Sequence, residues 1–317
     1  MSVRTPAPPS TSAAPAPSAR GRRRDLTPLW LLTPAGLVIT VVTIAPIFYL
    51  VYTSFTDYNQ RTLFTGEFTY TGLDQYTSLL SSGAFWRSLL RTVLFTTAMV
   101  AGSMLIGMAV SHLLTRVSTF WRYTTTVVLI LAWAMPNVAS TLVWNWLFQP
   151  GYGVLNWLLA QLRVFGDTTD LNWADDPMLA YTAIWLLIVW QAVPFIALTL
   201  NAAEQQVPPE YQEAARLDGA GEFTVYRVIT LTFLRPTLLL VTILSVIWDY
   251  NVFNQIWLFS AGGPGEATST LGVFTYRTAF IGFDIGQGAA ISVVTTLILL
   301  GLTALYIRNL LKSGENL

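Results

Sequence analysis

Cysteine is absent from these 317 residues, which excludes disulfides, thiol chemistry and cysteine-held metals. Histidine occurs once, as His112, so a multi-histidine metal centre is excluded as well. Lysine also occurs once, as Lys312. A phosphate-cradling P-loop needs a glycine-rich run ending in Gly-Lys-Ser/Thr. Here Lys312-Ser313 follows Asn309-Leu310-Leu311, with no glycine. The chain is therefore expected to hold no nucleotide in that manner and to carry no hydrolytic centre of its own. Charge is scarce too, at 11% of residues, against about 25% in soluble domains. The net charge is zero, and no nucleic-acid partner is expected.

What is abundant is apolar surface, 53% of the residues. Stretches long enough to cross a bilayer, about 20 residues each, run near Leu29–Tyr52, Ser88–Leu114, Tyr123–Phe148, Leu179–Leu200, Thr237–Trp257 and Ala289–Ile307. Each is expected to be a helix, because lipid satisfies no free backbone group. Residues 1–28 are rich in Pro, Ala and Ser and then in Arg. Such a tail buries too little apolar surface to fold alone and is expected to be disordered and cytoplasmic. The apolar run after it exceeds a signal-peptide core of about 7–15 residues, so an uncleaved anchor is expected. With the N-terminus inside, Arg61, Arg87, Arg91, Arg163 and Arg277 fall outside and the other twelve of the 17 basic residues inside. That matches the positive-inside tendency and puts both termini, and the polar loop at 201–236, in the cytoplasm.

That loop carries the most specific signal. Glu213 to Pro236 reads EAARLDGAGEFTVYRVITLTFLRP. An Ala-rich run opening on Glu213 gives way to Asp218-Gly219-Ala220, and a second amphipathic run ends at Pro236. Asp-Gly marks a turn, because glycine accepts backbone angles closed to other residues. The segment is expected to fold as helix, tight turn, helix, and to offer a rigid knob.

On these residues the chain resembles the permease subunits of bacterial ABC importers, whose EAA loop has Glu213, Ala214, Ala215, Asp218, Gly219, Ala220, Ile229, Leu231 and Pro236 at the same spacing. Tyr226 and Thr232 depart from the pattern, which has Phe and Pro there. Trp133-Ala134-Met135-Pro136, Trp144-Asn145-Trp146, Phe253-Asn254-Gln255-Ile256-Trp257 and Ala261-Gly262-Gly263-Pro264-Gly265 look like the carbohydrate branch, similar to maltose-type permeases. The resemblance spans roughly residues 30 to 310. It implies an all-α membrane protein of six transmembrane helices with a type I permease core, over residues 29–312. It also implies a second homologous permease beside it, an ABC ATPase dimer that holds ATP and Mg, and an extracytoplasmic sugar-binding protein. The location implied is a bacterial inner membrane. Glu213, Ala214, Ala215, Asp218, Gly219 and Ala220 would then couple to the ATPase.

The fifth span holds the other candidate site. At helical spacing Tyr250, Phe253, Asn254 and Trp257 share one stripe, with Asn251 beside them. Rings stack on sugar C–H faces and amides bond hydroxyls, which suits a substrate pathway. Plain interhelical packing stays equally open. Asp249 is expected to make a structural pair, Gln191 an interhelical contact, and His112 an interfacial hydrogen bond. Gly262, Gly263, Pro264 and Gly265 are expected to form a flexible external loop. That loop is either a receptor contact or a plain turn, and Asn156 carries the same ambiguity. The competing class is an ion-coupled secondary transporter, which would want ionisable residues in several spans. A membrane scaffold without transport is a third reading.

Overall fold

The computed structural model describes residues 27–163 and 166–312. The expected disordered tail falls almost wholly on residues outside that description. The chain falls into two units, Met1–Phe48 and Tyr49–Leu317. Among the described residues the regular elements are all helices, joined by turns and loops, with an isolated bridge between Thr56 and Tyr70.

The first span runs Trp30–Thr53, built from α1 (Thr27–Ile39), a π turn at Thr40–Ile44 and α2 (Ala45–Thr53). Two short helices follow, α3 (Gln60–Thr65) and α4 (Asp74–Ser81), and then the long α5 (Gly83–Arg116). The expected third span is not one helix. It is α6 (Thr119–Trp133) and α7 (Asn137–Leu147), bent by 99°. Pro136 sits in the break, because proline has no N–H to give and pushes the residue before it out of the helical region.

After α8 (Val154–Leu162) comes α9 (Pro177–Glu204). Its start is set locally: Asp176 Oδ1 accepts from Met178 N and Leu179 N, and Pro177 occupies the first turn, where a missing N–H costs nothing. Then follow α10 (Pro209–Leu217), α11 (Glu222–Val225), a π turn at Tyr226–Thr230 and α12 (Leu231–Tyr250). The last three run on as one 29-residue helix, Glu222–Tyr250. The second amphipathic run therefore does not end at Pro236, which lies inside α12. The fifth span is displaced from its expected bounds of 237–257 and breaks after Tyr250. Beyond the break are α13 (Asn254–Ser260), α14 (Leu271–Tyr276) and α15 (Ile285–Lys312). Among the described residues, five helices are long and apolar enough to cross a membrane, or six if the bent α6–α7 pair is counted as one span.

In the larger unit, α5 and α9 form the spine. Helix α9 buries residues around its whole girth, Ala180 and Ile184 through Ile196 and Leu200, as befits a helix with neighbours on every side. The two helices approach closely where a side chain is missing. A Cβ on Gly107 would stand 2.5 Å from Ile196 Cγ2, and one on Gly102 would stand 2.3 Å from the Trp185 ring. Small residues at crossings are the usual means of close contact inside a membrane, where no hydrophobic force drives helices together. Three apolar clusters follow α5 along its length. One holds Phe85 with Leu79, Tyr250 and Ile291. The next holds Phe95 and Met99 with Ile184 and Phe259. The last holds Val100 and Met104 with Ile196, Leu200 and Leu234.

Gly107→Leu is expected to wedge α5 from α9 at a cost of about 1–3 kcal/mol. The check is the melting midpoint of the purified protein in detergent; an unchanged midpoint would refute the close crossing.

Candidate functional site

The EAA segment folds as a hairpin. Helix α10 carries Glu213, Ala214 and Ala215 and ends in a Schellman cap. Ala220 N donates to Ala215 O (2.9 Å) and Gly219 N to Arg216 O (3.0 Å). Gly219 is left-handed, φ +85°, which is the conformation this cap requires and glycine adopts freely. The chain then re-enters a helix at Glu222. Glu213, Ala214, Leu217 and Asp218 are exposed, with Leu217 at 89% and Phe223 on the second arm at 77%. Two large apolar side chains thus stand free on a polar knob. Ala215 and Ala220 are half-buried.

The opposite face of α10, with Pro209, Gln212 and Arg216, borders a groove of about 800 Å³. Along it runs a chain of polar contacts the sequence did not disclose. Glu222 accepts from Arg216 Nε (2.7 Å) on the first arm and from Arg116 Nη2 (2.6 Å) at the end of α5. Donating to the Glu222 carboxylate raises the Arg216 guanidinium above its ordinary pKa. Arg116 Nε donates to His112 Nε2 (3.0 Å). With that nitrogen accepting, the ring proton sits on Nδ1, which is 2.9 Å from Glu204 Oε1 at the end of α9. Ser111 Oγ donates to the other Glu204 oxygen (3.2 Å). His112 also lies against the Tyr226 ring, centroids 4.4 Å apart. His112 is therefore a hydrogen-bonder, as expected, with a buried acid and an arginine as its partners.

Deeper in the bundle, the two helix breaks open on one cavity of about 450 Å³. Trp133 and Asn137 flank the α6–α7 break, and Asn251, Phe253 and Asn254 lie at the α12–α13 break. Gln191 from α9 joins them, donating to Met135 O (3.1 Å) and Asn137 Oδ1 (2.8 Å). Discontinuous helices are tolerated in a membrane where they line a cavity or are buried in protein.

The single stripe expected for the fifth span is not formed, because the helix stops at Tyr250 and restarts at Asn254. Asn251, Phe253 and Asn254 border the cavity. Tyr250 turns instead into the cluster with Phe85 and Leu271, and Trp257 is not among the cavity's lining residues. Trp257 stacks with Phe253 (6.0 Å) and with Tyr276 (4.8 Å). Asp249 makes no structural pair through Oδ2, which is buried and without a hydrogen-bond partner, and its residue also borders the cavity. Trp133, Asn137, Trp248 and Gln255 were missed as lining residues. The Trp-Ala-Met-Pro run was the available signal for the first two.

Hydrogen bonds reach the Gly262–Gly265 loop and the residues just after it. Thr268 Oγ1 donates to Gly263 O (2.7 Å), Tyr181 to Ala267 O (2.9 Å) and Arg91 to Glu266 O (2.7 Å). Asn156 is a buried hub. Its Nδ2 donates to Leu171 O (2.8 Å) and its Oδ1 accepts from Trp173 Nε1 (2.6 Å).

A membrane subunit with broken helices around a central cavity and a capped hairpin at one end is the architecture of a transport permease. Residues 94–313 match the family model described as "Binding-protein-dependent transport system inner membrane component", and the chain belongs to that family. It is 39% identical over 298 residues to the diacetylchitobiose uptake system permease protein DasB of Streptomyces coelicolor, covering 94% of this chain and 90% of that protein. It is 31% identical over 271 residues to the trehalose/maltose transport system permease protein MalF of Thermococcus litoralis, covering 86% and 90%. The fold matches a chain of a bacterial alginate ABC transporter solved with its alginate pentasaccharide-bound periplasmic protein. There the TM-score is 0.76 and identity 17%, over 90% of this chain and 93% of that one. The chain is thus a transport permease subunit, and in ABC importers the hydrolysis of ATP resides on a separate ATPase.

Asn156→Leu is expected to strand the Trp173 N–H and cost about 1–3 kcal/mol. A thermal melt followed by tryptophan fluorescence checks this; an unshifted midpoint would mean the hub is dispensable.

Proposed function

We propose that this chain forms half of the pathway of an ATP-driven importer for a di- or oligosaccharide. A second homologous permease supplies the other half, and an extracytoplasmic binding protein delivers the sugar. An ABC ATPase dimer holding ATP and Mg docks on the hairpin face made by Glu213, Ala214, Ala215, Asp218, Gly219 and Ala220. The single observation that carries this reading is the hairpin itself, rigidly capped at Gly219 and presenting Leu217 and Phe223 uncovered. Burying two such side chains against a partner is worth about 1.5–3 kcal/mol each. The hairpin end also gathers Arg116, Arg122 and Arg216, in keeping with a cytoplasmic position for it and for both termini.

Substrate class follows from the cavity and the relatives. Rings from Trp133, Trp248 and Phe253 stack on sugar faces, while Asn251, Asn254 and Gln191 offer amides to hydroxyls. Relatives named for diacetylchitobiose and for trehalose/maltose favour a short glycan. In the cycle, closure of the ATPases pushes the hairpin and opens the cavity outward, the binding protein releases its sugar, and hydrolysis resets the cavity inward. An ion-coupled carrier is the alternative, with Asp249 as its candidate group; uptake abolished by an uncoupler but indifferent to ATP depletion would favour it.

A Cβ added at Gly219 would meet nothing within 4 Å, but Gly219→Val forces a β-branched residue to φ +85° at about 1–3 kcal/mol. The variant is expected to insert normally and to lose ATP-driven uptake of labelled diacetylchitobiose or maltose. Normal uptake at normal protein level would overturn the coupling role. Phe253→Ala and Asn254→Leu should each lower uptake affinity about tenfold, the effect of roughly 1.4 kcal/mol; unchanged uptake in both would reduce the cavity to packing.

A further inference from the structure

We propose that Arg116 and Glu222 are positioning residues that lock the hairpin to the inner end of the second span, so that the two move as one body. The inference rests on the coupling reading above. Covalently, the hairpin's second arm continues only into α12, through the helix Glu222–Tyr250. The first arm joins α9 through residues 205–208, so a push along the chain would reach the fourth and fifth spans but not the second.

The Glu222 carboxylate changes that connection. It bridges Arg216 on the first arm (2.7 Å) and Arg116 on α5 (2.6 Å), a contact between residues 106 apart in sequence. From Arg116 the contacts continue through His112 to Glu204 on α9. Both side chains of the Arg116–Glu222 pair stay about half exposed, at 48% and 50%. An ion pair so placed adds little to folding stability. What it does add is direction: two guanidinium groups from different elements, converging on one carboxylate, fix both distance and angle. The joint therefore gives the hairpin a lever arm that the chain itself does not supply, the helix lying along α9 at the Gly107–Ile196 crossing.

The absence of cysteine makes the test clean. Spin labels on introduced cysteines at Ser118 and Glu210, both exposed, report the distance from the second span's end to the hairpin. They are read in the assembled transporter with its ATPase, without nucleotide and after trapping with ATP and vanadate. With the joint intact, the distance is expected to shift by less than about 2 Å on trapping, while Arg116→Gln or Glu222→Gln broadens the distribution about twofold. The double variant should broaden the distribution by less than the two single effects summed, because both remove the shared Arg116–Glu222 contact. A larger shift in the unaltered background, or unchanged distributions in both single variants, overturns the joint. If Glu222→Gln does not fold, Arg116 decides alone: Arg116→Lys, which keeps the charge, should stay narrower than Arg116→Gln, and equal breadth refutes the proposal. An unaltered chain that binds no ATPase would sink the coupling reading and the joint's part in transport. A bound ATPase with unmoved distances in the variants would sink the joint alone.

Discussion

Hydrocarbon has no partner to give a backbone N–H or C=O, and this constraint governs the molecule. A span must stay helical unless something inside the protein receives the freed groups. At the α6–α7 break, that receiver is Gln191, whose amide reaches Met135 O from the neighbouring helix. At the α12–α13 break, the Asn251 side chain turns back to Ile247 O (2.7 Å). The broken pairs are then braced against each other, Asn145 donating to Leu258 O (3.2 Å) and Phe148 meeting Phe259 edge-on. Two interruptions that would be costly apart become the walls of one cavity.

Polar chemistry is segregated accordingly. Deep in the bundle it consists of amides, rings, Ser and Thr hydroxyls and the acid Asp249. At the hairpin end it becomes a run of ionisable side chains, Glu204, Arg116, Glu222 and Arg216, with the His112 ring set among them. The placement follows cost. A paired charge near a span's end is cheap, whereas one at mid-depth is expensive and tends to be functional. The hairpin's rigidity is of a different kind, since the Gly219 cap is a backbone device and needs no neighbour.

Much of this was legible beforehand because it is local. Hydropathy over some twenty residues marks spans, and Asp218-Gly219 marks a turn whatever surrounds it. Pro136 also signalled a break, yet the third span was expected to run straight through it. The fifth-span stripe failed for a related reason. Period-3.6 reasoning presumes an unbroken helix, and nothing in Tyr250 to Asn254 announces that the helix stops there. Asn251, Phe253 and Asn254 still reach the cavity, whereas Tyr250 belongs to a cluster with residues far away in the chain.

Composition and order of residues decided by themselves that the chain lives in a membrane, where its long apolar runs lie, and that a hairpin closes at Gly219. These depend on transfer free energy and on torsion angles, which each residue carries with it. Which polar groups meet was decided only by the tertiary structure. Glu204 finds His112 across 92 residues, Glu222 finds Arg116 across 106, and Asn145 finds Leu258 across 113. Hydrogen bonds act over about 3 Å, so no spacing along the chain foretells such partners until packing has brought the helices together.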